Sequence, residues 1–150
     1  YVGRPEGVAE TIEVAGSWST IGATYRALTE RLKPLATEVL GHFSHTYTTG
    51  TSLYVILLGN AESALAAEAT LREIWKVSME TALETGAAIS HHHGVGLARV
   101  PYISDALGGG IEILQRWKAA FDPNGILNPG KLRFDTPPES REANTEGRPA

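Results

Sequence analysis

Apolar and polar positions alternate through ETIEVAG, Glu10 to Gly16, and the segment is rich in β-branched side chains. That period of two predicts a strand with one covered face, closed by Gly16. The period then changes. Ile21, Tyr25, Leu28 and Leu32 recur at offsets of 0, 4, 7 and 11, the single apolar stripe of a helix that Ser19 or Thr20 can cap and Pro34 stops. GHFSHTYT, Gly41 to Thr48, and LYVILL, Leu53 to Leu58, read as two strands joined by a short turn at Thr49 and Gly50. The second is apolar on both faces, which predicts a central strand. From Ala61 to Thr85 the pattern is helical again, with Asn60 as N-cap, Glu62 in the first turn, a core stripe of Leu71, Ile74, Trp75, Ser78 and Ala82, and Gly86 as terminator. AAIS, Ala87 to Ser90, is a short strand, and Gly110 to Phe121 is a last helix with Ile111, Leu114, Trp117 and Phe121 on one side, before DPNGILNPGK turns the chain out. Strand, helix, strand, strand, helix, strand predicts an α+β, ferredoxin-like antiparallel sheet with both helices on one face, followed by the last helix and a return segment.

At 150 residues the expectation is one compact unit. A net charge of -4 with no basic stripe argues against a nucleic-acid partner. No apolar run is long enough for a transmembrane segment. Without cysteine there are no disulfides, thiolate metal sites or cysteine nucleophiles, so chemistry must come from His, Tyr, carboxylates or a cofactor. The chain opens at Tyr1 with neither initiator Met nor signal segment, and the expectation is a portion of a longer protein whose location is cytoplasmic or membrane-associated. Arg148, Pro149 and Ala150 are not a peroxisomal address. Residues 135–150, rich in Pro, Glu, Ser and Asn, read as a disordered tail.

SHHHGVG, Ser90 to Gly96, holds three of the five histidines. Each is a proton carrier or metal ligand by its chemistry. Along an extended segment His91 and His93 would share one face while His92 points the other way, so the three converge only if the backbone turns. Gly94 and Gly96 permit that turn, through positive φ and close approach of a planar ligand. The structural alternative is that the histidines cap a strand and hydrogen-bond to backbone. His42 and His45, three residues apart on a strand, would face opposite sides, and no Asp or Glu lies in either histidine segment, so a metal is not favoured. Tyr54 reads either as a core tyrosine or, if protonated histidines lie nearby and lower its pKa, as a general acid or base.

The order GHFSHTYTTGTSLY, helix, ISHHHGVG, helix, DPNGILNPGKL resembles the C-terminal half of the FAD-linked oxidases and transferases that share the vanillyl-alcohol oxidase fold, nearest to the alkyldihydroxyacetonephosphate synthases. The resemblance runs from Glu10 to Phe134, and its most discriminating part is the triplet followed by GVG with a tyrosine thirty-seven residues before the first histidine. It implies a cap domain at residues 9–134, joined by a linker at 1–8 to an N-terminal domain that binds most of the FAD. It also implies acyl-to-alkyl exchange in ether-lipid synthesis through a flavin adduct, with no net redox change. By the same resemblance Tyr54 handles the substrate proton and His91, His92 and His93 line the site. His93, Gly94, Gly96, Asn128 and Lys131 lie toward the cofactor, and His91 and His92 toward a phosphorylated, lipid-like or hydroxy-acid substrate, for whose phosphate Arg99, just after the glycines, is the nearby candidate by position alone. Relatives that oxidise D-2-hydroxy acids carry a histidine where Tyr54 stands and a glutamate where His92 stands, and hold a divalent metal there. Losing that carboxylate favours a metal-free site. Oxidation of a hydroxy acid or alcohol and a stand-alone histidine-rich zinc module are the alternatives, and the fold leaves room for a homodimer.

Overall fold

The computed structural model describes residues Gly3 to Leu132. Instead of one compact unit the chain forms two, divided after Gly94. The division falls where Gly94 and Gly96 both take positive φ, 74° and 56°. Residues of the predicted tail lie outside the described range.

The first unit runs β1 (Gly7–Ser17), α1 (Trp18–Leu32), β2 (Glu38–Ser44), β3 (Gly50–Asn60) and α2 (Ala64–Glu84). The sheet order is β1-β3-β2, with both pairings antiparallel, so the doubly apolar strand is indeed central. Ile12 and Val14 of β1 and Leu53, Val55 and Leu57 of β3 are fully buried against Ile21, Leu28 and Leu32 of α1 and Ile74, Met79 and Ala82 of α2. At about 1.5–3 kcal/mol for each such side chain, this layer is the main source of stability. Three positions assigned to the stripes of the first two helices, Tyr25, Leu71 and Trp75, are only half-buried, and Thr24 and Met79 take core places instead. Trp75 reaches the sheet through its indole N–H, which donates to Glu10 Oε2 at 2.9 Å.

Element edges differ from the sequence pattern for local reasons. The second helix starts at Ala64, because Ser63 rather than Asn60 caps it, its hydroxyl accepting from the Ala66 N–H at 3.2 Å, while Asn60 pairs with Gly7 at the end of β3. The first helix begins at Trp18, with the Ser17 hydroxyl bonded to those of Ser19 and Thr20. β2 ends at Ser44, four residues early, where His45 takes φ 48°. The expected fourth strand, Ala87 to Ser90, is a single bridge of Ala88 to Ala15 on the free edge of β1, with N–H to O distances of 2.7 and 3.1 Å. It is the edge a ferredoxin-like fourth strand would occupy, but the ladder goes no further because Ser90 and His91 bond instead to the Glu13 side chain of β1.

The second unit contains a 3-10 turn at Val100–Tyr102, α3 (Ile103–Leu107) and α4 (Gly110–Phe121), the last as the pattern predicts. Ile111 is buried but Trp117 and Phe121 are exposed, so the stripe of α4 is covered only near its start. The DPNG turn is held by the buried Asp122, which accepts from the Ile126 and Leu127 N–H groups at 2.9 Å each and pairs with Lys118. The hydrogen bond from Lys118 keeps the Asp122 carboxyl below its ordinary pKa.

Packing at Gly50 generates a test. A Cβ there would stand 2.1 Å from the Gly16 carbonyl oxygen, whereas one at Gly22, inside α1, meets nothing nearer than Arg26 Nη1 at 3.7 Å. Gly50→Ala is expected to destabilise by about 1–3 kcal/mol and Gly22→Ala to stabilise by about 0.5–1 kcal/mol in urea denaturation. Equal midpoints for the two would contradict this packing.

Candidate active site

Glu13 of β1 and His42 of β2 are the register partners of Tyr54 in β3. Directly paired residues point to one face of a sheet, so these three form a row on the face opposite Leu53 and Val55. Glu13 is fully buried. Its carboxylate accepts the His91 backbone N–H at 3.0 and 3.1 Å to its two oxygens, and the Ser90 hydroxyl at 3.2 Å. These are the bonds that draw the chain away from β1 after Ala88.

The pull has a second effect. Residues 91–93 form a bend, so the expected alternation of the triplet does not hold and all three rings gather on one carboxylate. Nδ1 of His92 lies 3.4 Å from Glu13 Oε1, Nδ1 of His91 3.9 Å from the same oxygen, and Nδ1 of His93 3.9 Å from Oε2. Gly94 follows with positive φ and open space where a Cβ would stand. Glu13 is absent from the sequence-predicted site, because it lies outside both histidine segments. The signal was a glutamate between Ile12 and Val14 in a strand that the ferredoxin-like order sets beside Tyr54.

Tyr54 Oη and His92 Nε2 are 2.9 Å apart. His45 joins the cluster, since ending β2 at Ser44 releases it from the strand alternation. The Ser44 carbonyl accepts from the Thr51 and Ser52 hydroxyls at 2.8 Å each, and His45 Nδ1 lies 3.3 Å from Ser52 Oγ. The His45 ring then stands 4.5 Å from His92 and 6.4 Å from Tyr54, while His42 stands 5.9 Å from Tyr54, so the two do not face opposite sides as expected. Ring nitrogens of His45, His91 and His92 come within 4.8 Å of one another. That convergence overturns the geometric argument against it, although both nitrogens of His92 already have neighbours, Nε2 in Tyr54 and Nδ1 in His91 at 3.1 Å.

Electrostatics run opposite to the expected phenolate among imidazolium ions. Burial, and then the negative charge of Glu13, raise the Tyr54 pKa above 10.0. Burial lowers the pKa of His92, and charge on His93, His45 and His91 would lower it further, against the opposing pull of Glu13. Both shifts favour the neutral form, so the resting pair is a phenol and a neutral imidazole.

A cavity of about 480 Å³ opens beside His91, lined by Gly16, Ser17, Tyr47, Thr49 and Thr51 among others. Gly96, Arg99, Asn128 and Lys131 belong to the second unit. Arg99 is 6% exposed there, and Asn128, at φ 47°, accepts the Lys131 N–H at 3.3 Å in the turn after Pro129. Among the described residues no helix is long and apolar enough to cross a membrane.

Comparison with known proteins gives this geometry a family. The model of "FAD linked oxidases, C-terminal domain" matches residues 1–132. The chain is 32% identical over 131 residues to the uncharacterized FAD-linked oxidoreductase YgcU of Escherichia coli strain K12, covering 81% of this chain and 27% of that protein. It is 34% identical over 102 residues to the alkyldihydroxyacetonephosphate synthase of Trypanosoma brucei brucei, covering 67% of this chain and 16% of the synthase. To the glycolate oxidase subunit GlcD of Bacillus subtilis it is 48% identical over 54 residues, 35% of this chain and 12% of that subunit. The chain thus spans less than a third of the length of these relatives. With the family match running through the sheet, the histidine loop and the last helix alike, the chain belongs to the FAD-linked oxidase family, as its C-terminal domain.

Proposed function

We propose that this chain is the substrate-covering part of an FAD-dependent enzyme that exchanges an acyl for an alkyl group, in the manner of the alkyldihydroxyacetonephosphate synthases. The observation that carries the reading is the hydrogen bond between Tyr54 Oη and His92 Nε2 at 2.9 Å. The residues fit a flavin ring system. The sheet face away from the helices carries half-exposed, planar side chains, with 29%, 38% and 39% of the His91, His92 and His93 side chains accessible, and Gly94 leaves open space at the end of the loop. His93 and Gly94 would border the cofactor, which supplies an electron sink when bound.

The protein's own contribution is proton handling. With Tyr54 held as a phenol and His92 neutral, the hydroxyl proton can pass to His92 Nε2 as Tyr54 Oη takes a carbon-bound proton next to a substrate carbonyl. The positive charge left on His92 then sits beside the Glu13 carboxylate, which is present before the reaction and stabilises it. Along the same sheet face as Tyr54 stand Ile56 and Leu58, half-covered, with Leu40 beside Ile56 in the register of β2, an apolar path suited to a substrate with a hydrocarbon portion. Net oxidation of a hydroxy acid is the second reading, favoured by the likeness to the glycolate oxidase subunit.

The decisive assay compares wild type with Tyr54→Phe in the flavin-loaded full-length protein. Exchange of acyl for alkyl is expected in wild type and a loss of about 100-fold or more in the variant. Equal rates would exclude the proton role, and reduction of an electron acceptor without exchange would favour oxidation. The 150-residue chain alone is expected to hold neither flavin nor zinc after dialysis. A stable yellow complex, or stoichiometric zinc lost on His92→Ala, would overturn the cap reading.

In ultraviolet titration, the difference between wild type and Tyr54→Phe is expected to isolate a phenol ionising above 10.0. The folded state holds this proton more tightly than the unfolded chain, so the associated stability is complete below 10.0 and is lost as the pH rises through the raised native value. His92 has the opposite sign: stability falls as the pH drops from 6.5 toward its lowered native value. An ionisation at or below 10.0 in the tyrosine difference would contradict the site's electrostatics.

A further inference from the structure

A neutral imidazole carries one proton, and the contacts of His92 admit two arrangements of it. In one, Nδ1 carries the proton and Nε2, 2.9 Å from Tyr54 Oη, is a bare acceptor. In the other, His91 donates from its own Nδ1 to His92 Nδ1 across 3.1 Å, and His92 Nε2–H points at the tyrosine oxygen. Only the first leaves Nε2 able to receive a proton.

Glu13 distinguishes the two. An ionised carboxylate accepts and never donates, so it favours an N–H facing it over a lone pair. Its Oε1 lies nearer Nδ1 of His92, at 3.4 Å, than Nδ1 of His91, at 3.9 Å. Full burial removes the water that would otherwise screen this preference. The same carboxylate fixes the loop itself through the His91 N–H and the Ser90 hydroxyl, so the ring is held in place as well as polarised.

We propose that Glu13 is a positioning residue that anchors the histidine loop to β1 and holds His92 as the Nδ1–H tautomer, with Nε2 turned to Tyr54 as the proton acceptor. This rests on the reading of Tyr54 and His92 as the proton-handling pair. Glu13→Gln keeps an acceptor for the loop while removing the charge, which separates tautomer selection from anchoring.

The test is ¹⁵N nuclear magnetic resonance of the histidine-labelled, flavin-loaded full-length protein at mildly alkaline pH, with His92 assigned by its loss in His92→Asn. Wild type is expected to show a protonated Nδ1 and an unprotonated Nε2 at His92. In Glu13→Gln that preference is expected to weaken about tenfold, as the buried charge 3.4 Å from Nδ1 is lost, and kcat of the flavin-loaded full-length protein to fall at least as far with KM little changed. A His92 Nε2–H tautomer in wild type would overturn the proposal without recourse to any variant. So would a Glu13→Gln protein that keeps both the tautomer and kcat. Full activity in Tyr54→Phe with the Nδ1–H tautomer intact would instead sink the reading of Tyr54 and leave the role of Glu13 on His92 standing.

Discussion

The buried carboxylate of Glu13 is the constraint from which the rest of the site follows. Shutting a charged carboxylate away from water costs several kcal/mol unless donors surround it. Glu13 has no exposed surface, and its donors come from the chain segment that would otherwise be the fourth strand. Satisfying it therefore ends the ladder after Ala88, bends residues 91–93 and brings three successive imidazoles around one point. A strand continued to His93 would have kept the sheet regular and scattered the rings.

The sheet is built to be covered on one side only. Odd-numbered positions of β3 from Leu53 to Leu57 sink beneath the two helices, while the intervening Tyr54 and Ile56 stay half-exposed on the other face. The uncovered face carries phenol and imidazole rings tilted against one another, and it belongs to a C-terminal domain of the FAD-linked oxidases. The charges are mutually consistent as well. Burial, with the neighbouring imidazoles adding to it, keeps His92 neutral, and burial with Glu13 keeps Tyr54 protonated, so the pair holds no permanent charge.

Much of the architecture was legible in the chain. Period two, then period 3.6, then two adjoining β-segments gave the element order, and the apolar run of β3 gave its central place. The edges were harder, because they turn on single contacts: Ser63 rather than Asn60 accepts the bond that starts α2, and two hydroxyls on the Ser44 carbonyl end β2. The histidine triplet and Tyr54 stood out by composition and spacing. Their orientation did not, since alternation describes an extended strand and this segment is held out of one by a side chain seventy-eight positions away in sequence.

By itself, the sequence determined the elements, the central strand and the set of groups available for chemistry, because each is written in local periodicity and residue type. Tertiary structure alone decided that Glu13 lies beneath the histidines, that His45 turns in to join them, and that Tyr54 meets Nε2 of His92. Those outcomes depend on the register of β1 against β3 and on the demand of one buried charge for donors. Neither quantity resides in any single segment of the chain.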